Sequence, residues 1–121
     1  MKIQLASLSV PDQDEAIRFF VDAIGFELVE DSPAAATDGA PKRWVVVRPP
    51  GAETGIVLVQ DPEHRPAQRV VLFLAVDDFA VQHRRMVERG VVFREEPRHE
   101  PYGTVAVWED VAGNRWDLVG P

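Results

Sequence analysis

The sequence contains no cysteine, which excludes disulfides, thiolate metal sites and a cysteine nucleophile. It also has no long apolar run. The longest, Val70 to Val76, falls far short of the about 20 residues that a membrane helix needs. The residues from Met1 to Leu5 carry no apolar stretch typical of a secretion signal. We therefore expect a cytoplasmic protein with no membrane partner.

Positive charge is scarce. Lys and Arg number 13 against 20 Asp and Glu, giving a formal net charge of −7. Such a chain repels phosphate backbones, so nucleic acid is not an expected partner, whereas a cationic ligand would be attracted. The 121 residues, 45% of them apolar, suit one domain with a core of its own.

The chain repeats a pattern of strand, helix and further strands. One helix is predicted from Asp12 to Gly25 and another from Asp78 to Gly90, each with an aspartate as N-cap and a glycine at its end. We read the chain as a single domain of two βαβββ modules, about 1–62 and 68–121. In the second helix, Phe79, Met86 and Val87 are expected to be buried.

Period-two alternation and turn residues predict the strands. They are Ile3–Val10, Phe26–Val29, Trp44–Arg48, Ile56–Gln60, Val70–Val76, Val91–Arg94, Val105–Glu109 and Arg115–Val119. The segment from Asp31 to Pro41 is rich in Ala, Pro and Gly and predicts a surface loop, either a rim or lid for a site or a tolerated insertion.

Three motifs point to a known family. They are Leu8-Ser9-Val10-Pro11-Asp12 with Ile24-Gly25-Phe26, then Phe73-Leu74-Ala75-Val76-Asp77-Asp78, and finally Glu109 to Leu118 with its Gly113-Asn114 turn. Together they resemble the vicinal oxygen chelate superfamily, the glyoxalase, bleomycin-resistance and extradiol-dioxygenase group. Val111 and Ala112 depart from the family's usual turn. The resemblance implies an α+β fold, in which two βαβββ modules form a curled mixed sheet with a concave ligand cup and helices on the convex face.

Strand alternation sorts side chains between the implied cup and the helices. The expected ligand-binding residues on strands are Leu5, Ser7, Val57, Val59, Val71, Phe73 and Asp117. Three aromatic residues, Trp44, Tyr102 and Trp108, are candidates for the walls, and Trp116 is assigned to the core.

Metalloenzymes of this superfamily hold a divalent ion with His, Gln or Glu at four positions. Here the resemblance puts Leu5, Val57, Val71 and Asp117 at those positions. Hydrocarbon side chains cannot coordinate a metal, and one carboxylate cannot hold a divalent ion tightly. We therefore expect no metal site and no cofactor. The three histidines, His64, His83 and His99, are expected at the surface.

The leading hypothesis is a metal-free, small-molecule binding protein that sequesters a hydrophobic or cationic compound, with a homodimer implied by the resemblance. Asp117 could be the counter-ion of such a ligand, a general acid or base, or a structural group. The alternatives are a metal-independent lyase or isomerase that uses Asp117, a dioxygenase-like enzyme with an unrecognised metal site, and a non-catalytic interaction module.

Overall fold

The chain divides into two units in the computed structural model, Met1–His64 and Arg65–Pro121. The structure describes residues 1–35 and 41–121. Each unit carries a helix and a mixed sheet with one parallel and several antiparallel strand pairs. The α+β fold class predicted from the sequence is confirmed.

The helix of the first unit begins at the predicted cap. Asp12 accepts a hydrogen bond from the Glu15 amide at 3.0 Å, and α1 (Gln13–Arg18) follows. The helix then widens into a π-helical segment (Phe19–Ile24), in which the amides of Gly25 and Phe26 both donate to the Phe20 carbonyl. Gly25 ends the segment with a left-handed φ of 95°, which glycine adopts without a steric penalty.

The first sheet has the strand order β1-β4-β3-β2. Its strands are β1 (Leu5–Val10), β2 (Glu27–Ala35), β3 (Pro41–Arg48) and β4 (Gly55–Gln60). The predicted loop from Asp31 to Pro41 is wrong at both ends, because β2 continues through Ala35 and β3 already begins at Pro41. The strands pair here, for example Ser32 with Trp44. The middle of that predicted loop, residues 36–40, lies outside the described residues.

The second sheet has the order β5-β9-β8-β6, and β7 pairs with β8. Its elements are β5 (Val70–Ala75), α2 (Phe79–Glu88), β6 (Val92–Phe93), β7 (Arg98–Glu100), β8 (Gly103–Glu109) and β9 (Arg115–Gly120). Asp78 caps α2 by accepting from the Val81 amide at 3.2 Å. The strand predicted at Val91–Arg94 is shorter than expected, and β7 was not predicted from the sequence.

The helix-facing side of each sheet is buried. Phe20 stacks on Phe26 in the first unit, and Trp108 stacks on Trp116 in the second with ring centroids 4.9 Å apart. Val87 was expected to be buried but is 52% exposed, because the helix turns it to the outer face. Over the described residues, the helices are too short and too polar to cross a membrane.

His83 and His99 test the expectation that the histidines lie at the surface. His83 is half-buried rather than fully outward, and its ring lies 4.5 Å from the Phe93 ring and 5.5 Å from the Phe79 ring. His99 is exposed, and its Nδ1 lies 3.0 Å from the Thr104 hydroxyl. The contact between His83 and the two phenylalanines explains why this histidine departs from the expected surface position.

Candidate functional site

In the described part of the first unit, the helix packs against one face of the sheet, and we call the opposite face the open face of this unit. Ser7 on β1 pairs with Val57 on β4, and Val57 pairs in turn with Val46 on β3. Paired residues point to the same side of a sheet, so Ser7 and Val57 share the open face. Ser7 is exposed, whereas Val57 is buried.

The remaining predicted residues of this unit lie on the same face by alternation. Leu5 is half-buried at one end of β1, and Val59 is 43% exposed at the far end of β4. Trp44, two residues from Val46 on β3, is 37% exposed. The open face of the first unit is therefore mostly apolar, with the Ser7 hydroxyl as a polar group.

One charged residue of this face was not predicted from the sequence. Arg48 at the end of β3 lies on the open face, with its Nη2 atom 3.8 Å from Glu27 Oε2. Its Nε atom is buried and has no hydrogen-bond partner among the residues that the structure describes. Alternation on β3 could have found this residue, since it shares the parity of Trp44 and Val46.

In the second unit we likewise call open the face of the sheet opposite the buried Trp116 and Leu118, and this face brings together two predicted residues, Phe73 and Asp117. They occupy paired positions on the parallel strands β5 and β9, so their side chains project to the same side. Phe73 is 70% exposed, the largest exposed fraction of any phenylalanine in the described chain. Val107 on β8 pairs with Asp117 from the other side and completes a row across three strands.

The carboxylate of Asp117 has an unusual environment. Its Oδ1 atom is buried and has no hydrogen-bond partner among residues 1–35 and 41–121. Loss of water around the carboxylate raises the pKa of Asp117 above its ordinary value, while the positive charge of Arg98 opposes this rise and Glu95 adds to it. Such a group favours a neighbour that brings a positive charge or a donor.

The guanidinium of Arg98, whose charge acts on Asp117, is hydrogen-bonded to two glutamates. Its Nε donates to Glu100 Oε1 at 3.0 Å, and its Nη1 donates to Glu95 Oε1. The hydrogen bond to Glu100 and the negative charges of Glu95 and Glu100 raise the pKa of Arg98 above its ordinary value, although desolvation opposes the rise. Sequence reasoning missed this cluster, because β7, the short strand that carries Arg98 and Glu100, was not recognised.

The other predicted residues of the second unit lie elsewhere. Trp108 is fully buried and stacks on Trp116, so it belongs to the helix-facing core and does not line the open face. Tyr102 is 69% exposed in the turn between β7 and β8. Val71 is half-buried at a register shift, where β5 pairs Val70 with Arg115 and then Leu72 with Trp116.

Asp110 has a role that the sequence did not reveal. It is 5% exposed and precedes the Gly113-Asn114 turn. Its Oδ1 accepts from the amides of Ala112 and Asn114, and its Oδ2 accepts from the Trp116 indole at 3.1 Å. Burial raises the pKa of Asp110, although these hydrogen bonds oppose the rise. This carboxylate holds the turn before β9 and is structural.

The residues at the family's metal positions do not fit a divalent ion. Leu5, Val57 and Val71 offer only hydrocarbon, and Asp117 offers one carboxylate, whereas such ions need several oxygen or nitrogen donors. Within the described part of the chain, no three histidine, aspartate or glutamate side chains converge on a common point. No chemical step is therefore assigned to a metal here.

Comparison with known proteins is consistent with this fold. The chain is 37% identical to TnmS3, an antibiotic binding protein from Streptomyces sp. CB03234, with a TM-score of 0.84 over 100% of this chain and 96% of that one. An uncharacterized protein of Shewanella frigidimarina is 44% identical over 93% of this chain and 88% of its own length. The uncharacterized protein YurT of Bacillus subtilis is 30% identical over 98% of both chains.

A family model matches nearly the whole sequence, residues 2–118. The chain belongs to the Glyoxalase/Bleomycin resistance protein/Dioxygenase superfamily.

Proposed function

We propose that this protein binds a small organic molecule without a catalytic metal and sequesters it, with Phe73 and Asp117 as the centre of the ligand site. The observation that carries the proposal is the pairing of an exposed aromatic ring with a carboxylate whose Oδ1 is buried without a hydrogen-bond partner in the described chain. The exposed ring is unfavourable until an apolar group covers it, and the carboxylate is unfavourable until a donor or a positive charge pairs with it.

The chemistry of the two side chains suggests the kind of ligand. The Phe73 ring offers a flat apolar surface, which favours an aromatic or other hydrophobic group. The Asp117 carboxylate favours a positive charge or a hydrogen-bond donor. The best match is an apolar compound that carries a protonated nitrogen, and the negative charge of the chain would attract it from solution.

Two further observations support this proposal. The relative TnmS3 is an antibiotic binding protein, and its identity of 37% extends over the whole of this chain. In addition, Val71, on the same strand as Phe73, puts hydrocarbon where the family has a metal donor, which suits an apolar ligand better than an ion.

The test uses three naphthalene probes of the same shape and different charge, namely naphthylmethylamine, naphthylmethanol and naphthoic acid. Calorimetry and thermal shift should show that the amine binds and stabilises the protein, the alcohol binds more weakly and the acid binds least. Elemental analysis after soaking with nickel, zinc, manganese and iron should find no stoichiometric metal. Stoichiometric metal would overturn the metal-free part of the proposal.

A second candidate function is metal-independent proton transfer by Asp117, in a lyase or isomerase. The unpartnered Oδ1 and the raised pKa of Asp117 favour it, because a general base needs an acceptor atom that no other group of the described chain holds and a pKa nearer neutrality. Turnover of a substrate that survives chelation and is lost in Asp117→Asn would support this function. Binding without turnover favours sequestration.

Assembly and location complete the proposal. We propose a homodimer, because β2 is an edge strand among the described strands and exposes Leu28 and Val29, at 44% and 45%. Light scattering should give a mass near twice 13.5 kDa, and a monomer at all concentrations would contradict the dimer.

We also propose the cytoplasm as the compartment of this protein, since a chain without cysteine suits a reducing environment, and cell fractionation tests this.

A further inference from the structure

The arginine nearest to Asp117 is held by other carboxylates. Arg98 donates through Nε to Glu100 at 3.0 Å and through Nη1 to Glu95. No hydrogen bond joins Arg98 to Asp117 in the described structure, although the Arg98 charge acts on that carboxylate. Carboxylates therefore outnumber the single guanidinium in this part of the open face.

Arg98 lies within reach of Asp117. Arg98 on β7 pairs with Val105 on β8, and Val105 pairs with Val119 on β9, two residues from Asp117. The side chains of these four residues, Arg98, Val105, Val119 and Asp117, therefore share one face of the sheet by register and alternation. Ordinary strand and residue spacings put the two Cα atoms about 12 Å apart, a distance that an extended arginine and an aspartate can bridge.

We propose that Glu95 and Glu100 are positioning residues that hold the Arg98 guanidinium away from Asp117 and so reserve Asp117 for the positive group of a ligand. This inference rests on the proposed function and adds the determinant of its charge preference. A released Arg98 would pair with Asp117, because opposite charges on a partly desolvated surface attract. That internal ion pair would then compete with the cation of the ligand.

The first experiment removes the two competing carboxylates. In the double variant Glu95→Gln, Glu100→Gln, naphthylmethylamine should bind about fivefold more weakly than to the wild type, while naphthylmethanol should be unchanged. The matched control is Glu63→Gln, Glu88→Gln, which makes the same change in net charge at two exposed positions outside the cluster. The control should bind both probes as the wild type does.

The second experiment removes the arginine. Arg98→Met keeps an unbranched apolar side chain and lacks the charge, so adding it to the double glutamine variant should restore amine affinity to at least the wild-type value. A general loss of stability could not produce such a rescue. If the double variant keeps the wild-type affinity, or if Arg98→Met fails to restore a lost affinity, the inference is overturned.

A measurement without ligand separates this inference from the proposed function. Titration of the Asp117 carboxyl by NMR should show that the two glutamine substitutions lower its pKa more when Arg98 is present than in the Arg98→Met background. Loss of the Glu95 charge is common to both backgrounds, and only a released Arg98 adds to it. An equal fall in both backgrounds overturns the positioning role. Failure of all three naphthalene probes to bind the wild type would overturn the charge preference. Failure of a wider panel of hydrophobic and cationic compounds would overturn the proposed function itself, whatever the titration shows.

Discussion

Phe73 and Asp117 are paired residues on neighbouring parallel strands, and their side chains share the open face of the second sheet. An exposed phenylalanine and a desolvated carboxylate side by side offer a hydrophobic and an ionic contact to one small molecule. Each contribution can be removed separately by substitution, so the role of each residue is open to direct measurement.

Phe73→Ala should weaken binding of naphthylmethylamine and naphthylmethanol alike, by about tenfold, because it removes the aromatic surface without touching the charge. The stability of the protein should change by less than about 0.5 kcal/mol, since the ring is largely exposed already. Calorimetry and urea unfolding measure the two effects. Val87→Ala, an exposed apolar truncation on α2, is the control and should leave binding intact.

Asp117→Asn should stabilise the protein at neutral pH. The folded-state pKa of Asp117 is raised, so its contribution to stability is fully present below the unfolded pKa and is lost as pH rises through the folded pKa. At neutral pH the ionised carboxylate is therefore unfavourable, and the amide should raise the melting temperature by roughly 2–4 °C. The gain should vanish in acid. A melting temperature that falls at neutral pH would indicate a structural role for the carboxylate.

Affinity for naphthylmethylamine should depend on pH through the same group. The amine needs the ionised carboxylate, so its affinity should fall as pH drops through the raised pKa of Asp117. The charges of Arg98 and Glu95 act on this titration in opposite directions. Calorimetry at a series of pH values should show this decline in the wild type and a flat profile in Asp117→Asn. A flat wild-type profile would remove the ion pair from the binding model.

Substitution of Asp110 should have the opposite effect on stability to substitution of Asp117, although burial raises the pKa of Asp110 too. Asp110→Asn should destabilise the protein by about 1–3 kcal/mol, because an amide nitrogen would replace one of two oxygens that accept three N–H groups. Urea unfolding measures the loss, and fluorescence of the two stacked tryptophans should report a disturbed β9. An unchanged stability would show that the turn does not depend on this carboxylate. The exposed Asp77→Asn is the control.

The sequence predicted the elements well where the signal was local. The aspartate caps and the glycine ends of both helices are confirmed, since each depends on a few neighbouring residues. Alternation alone could not place Trp108, because the face of β8 is set by its register with β9, where Trp108 pairs with the buried Trp116. The extension of β2 was hidden for a similar reason, since hairpin pairing overrode a composition typical of a loop.

The candidate site was predictable in part. The parity of β5 and β9 was sufficient to put Phe73 and Asp117 on one face, and their register confirms that geometry. The functional role assigned to the two residues stays a prediction. Arg48 was missed although alternation on β3 is sufficient to place it on its face, and the Arg98 cluster was missed because β7 was not recognised in the sequence.

Gln13 provides the last prediction. The strands β3 and β4 pair at Val46 and Val57. Further along the same two strands, the buried side-chain amide of Gln13 donates to the carbonyls of Arg43 and Leu58, at 3.1 and 2.9 Å. Gln13→Leu should cost about 1–3 kcal/mol in urea unfolding, because both carbonyls lose a donor. Gln13→Glu should cost more at neutral pH than in acid, since an ionised carboxylate only accepts hydrogen bonds. The exposed Gln68→Leu is the control, and equal stability of both leucine variants would contradict the role of Gln13.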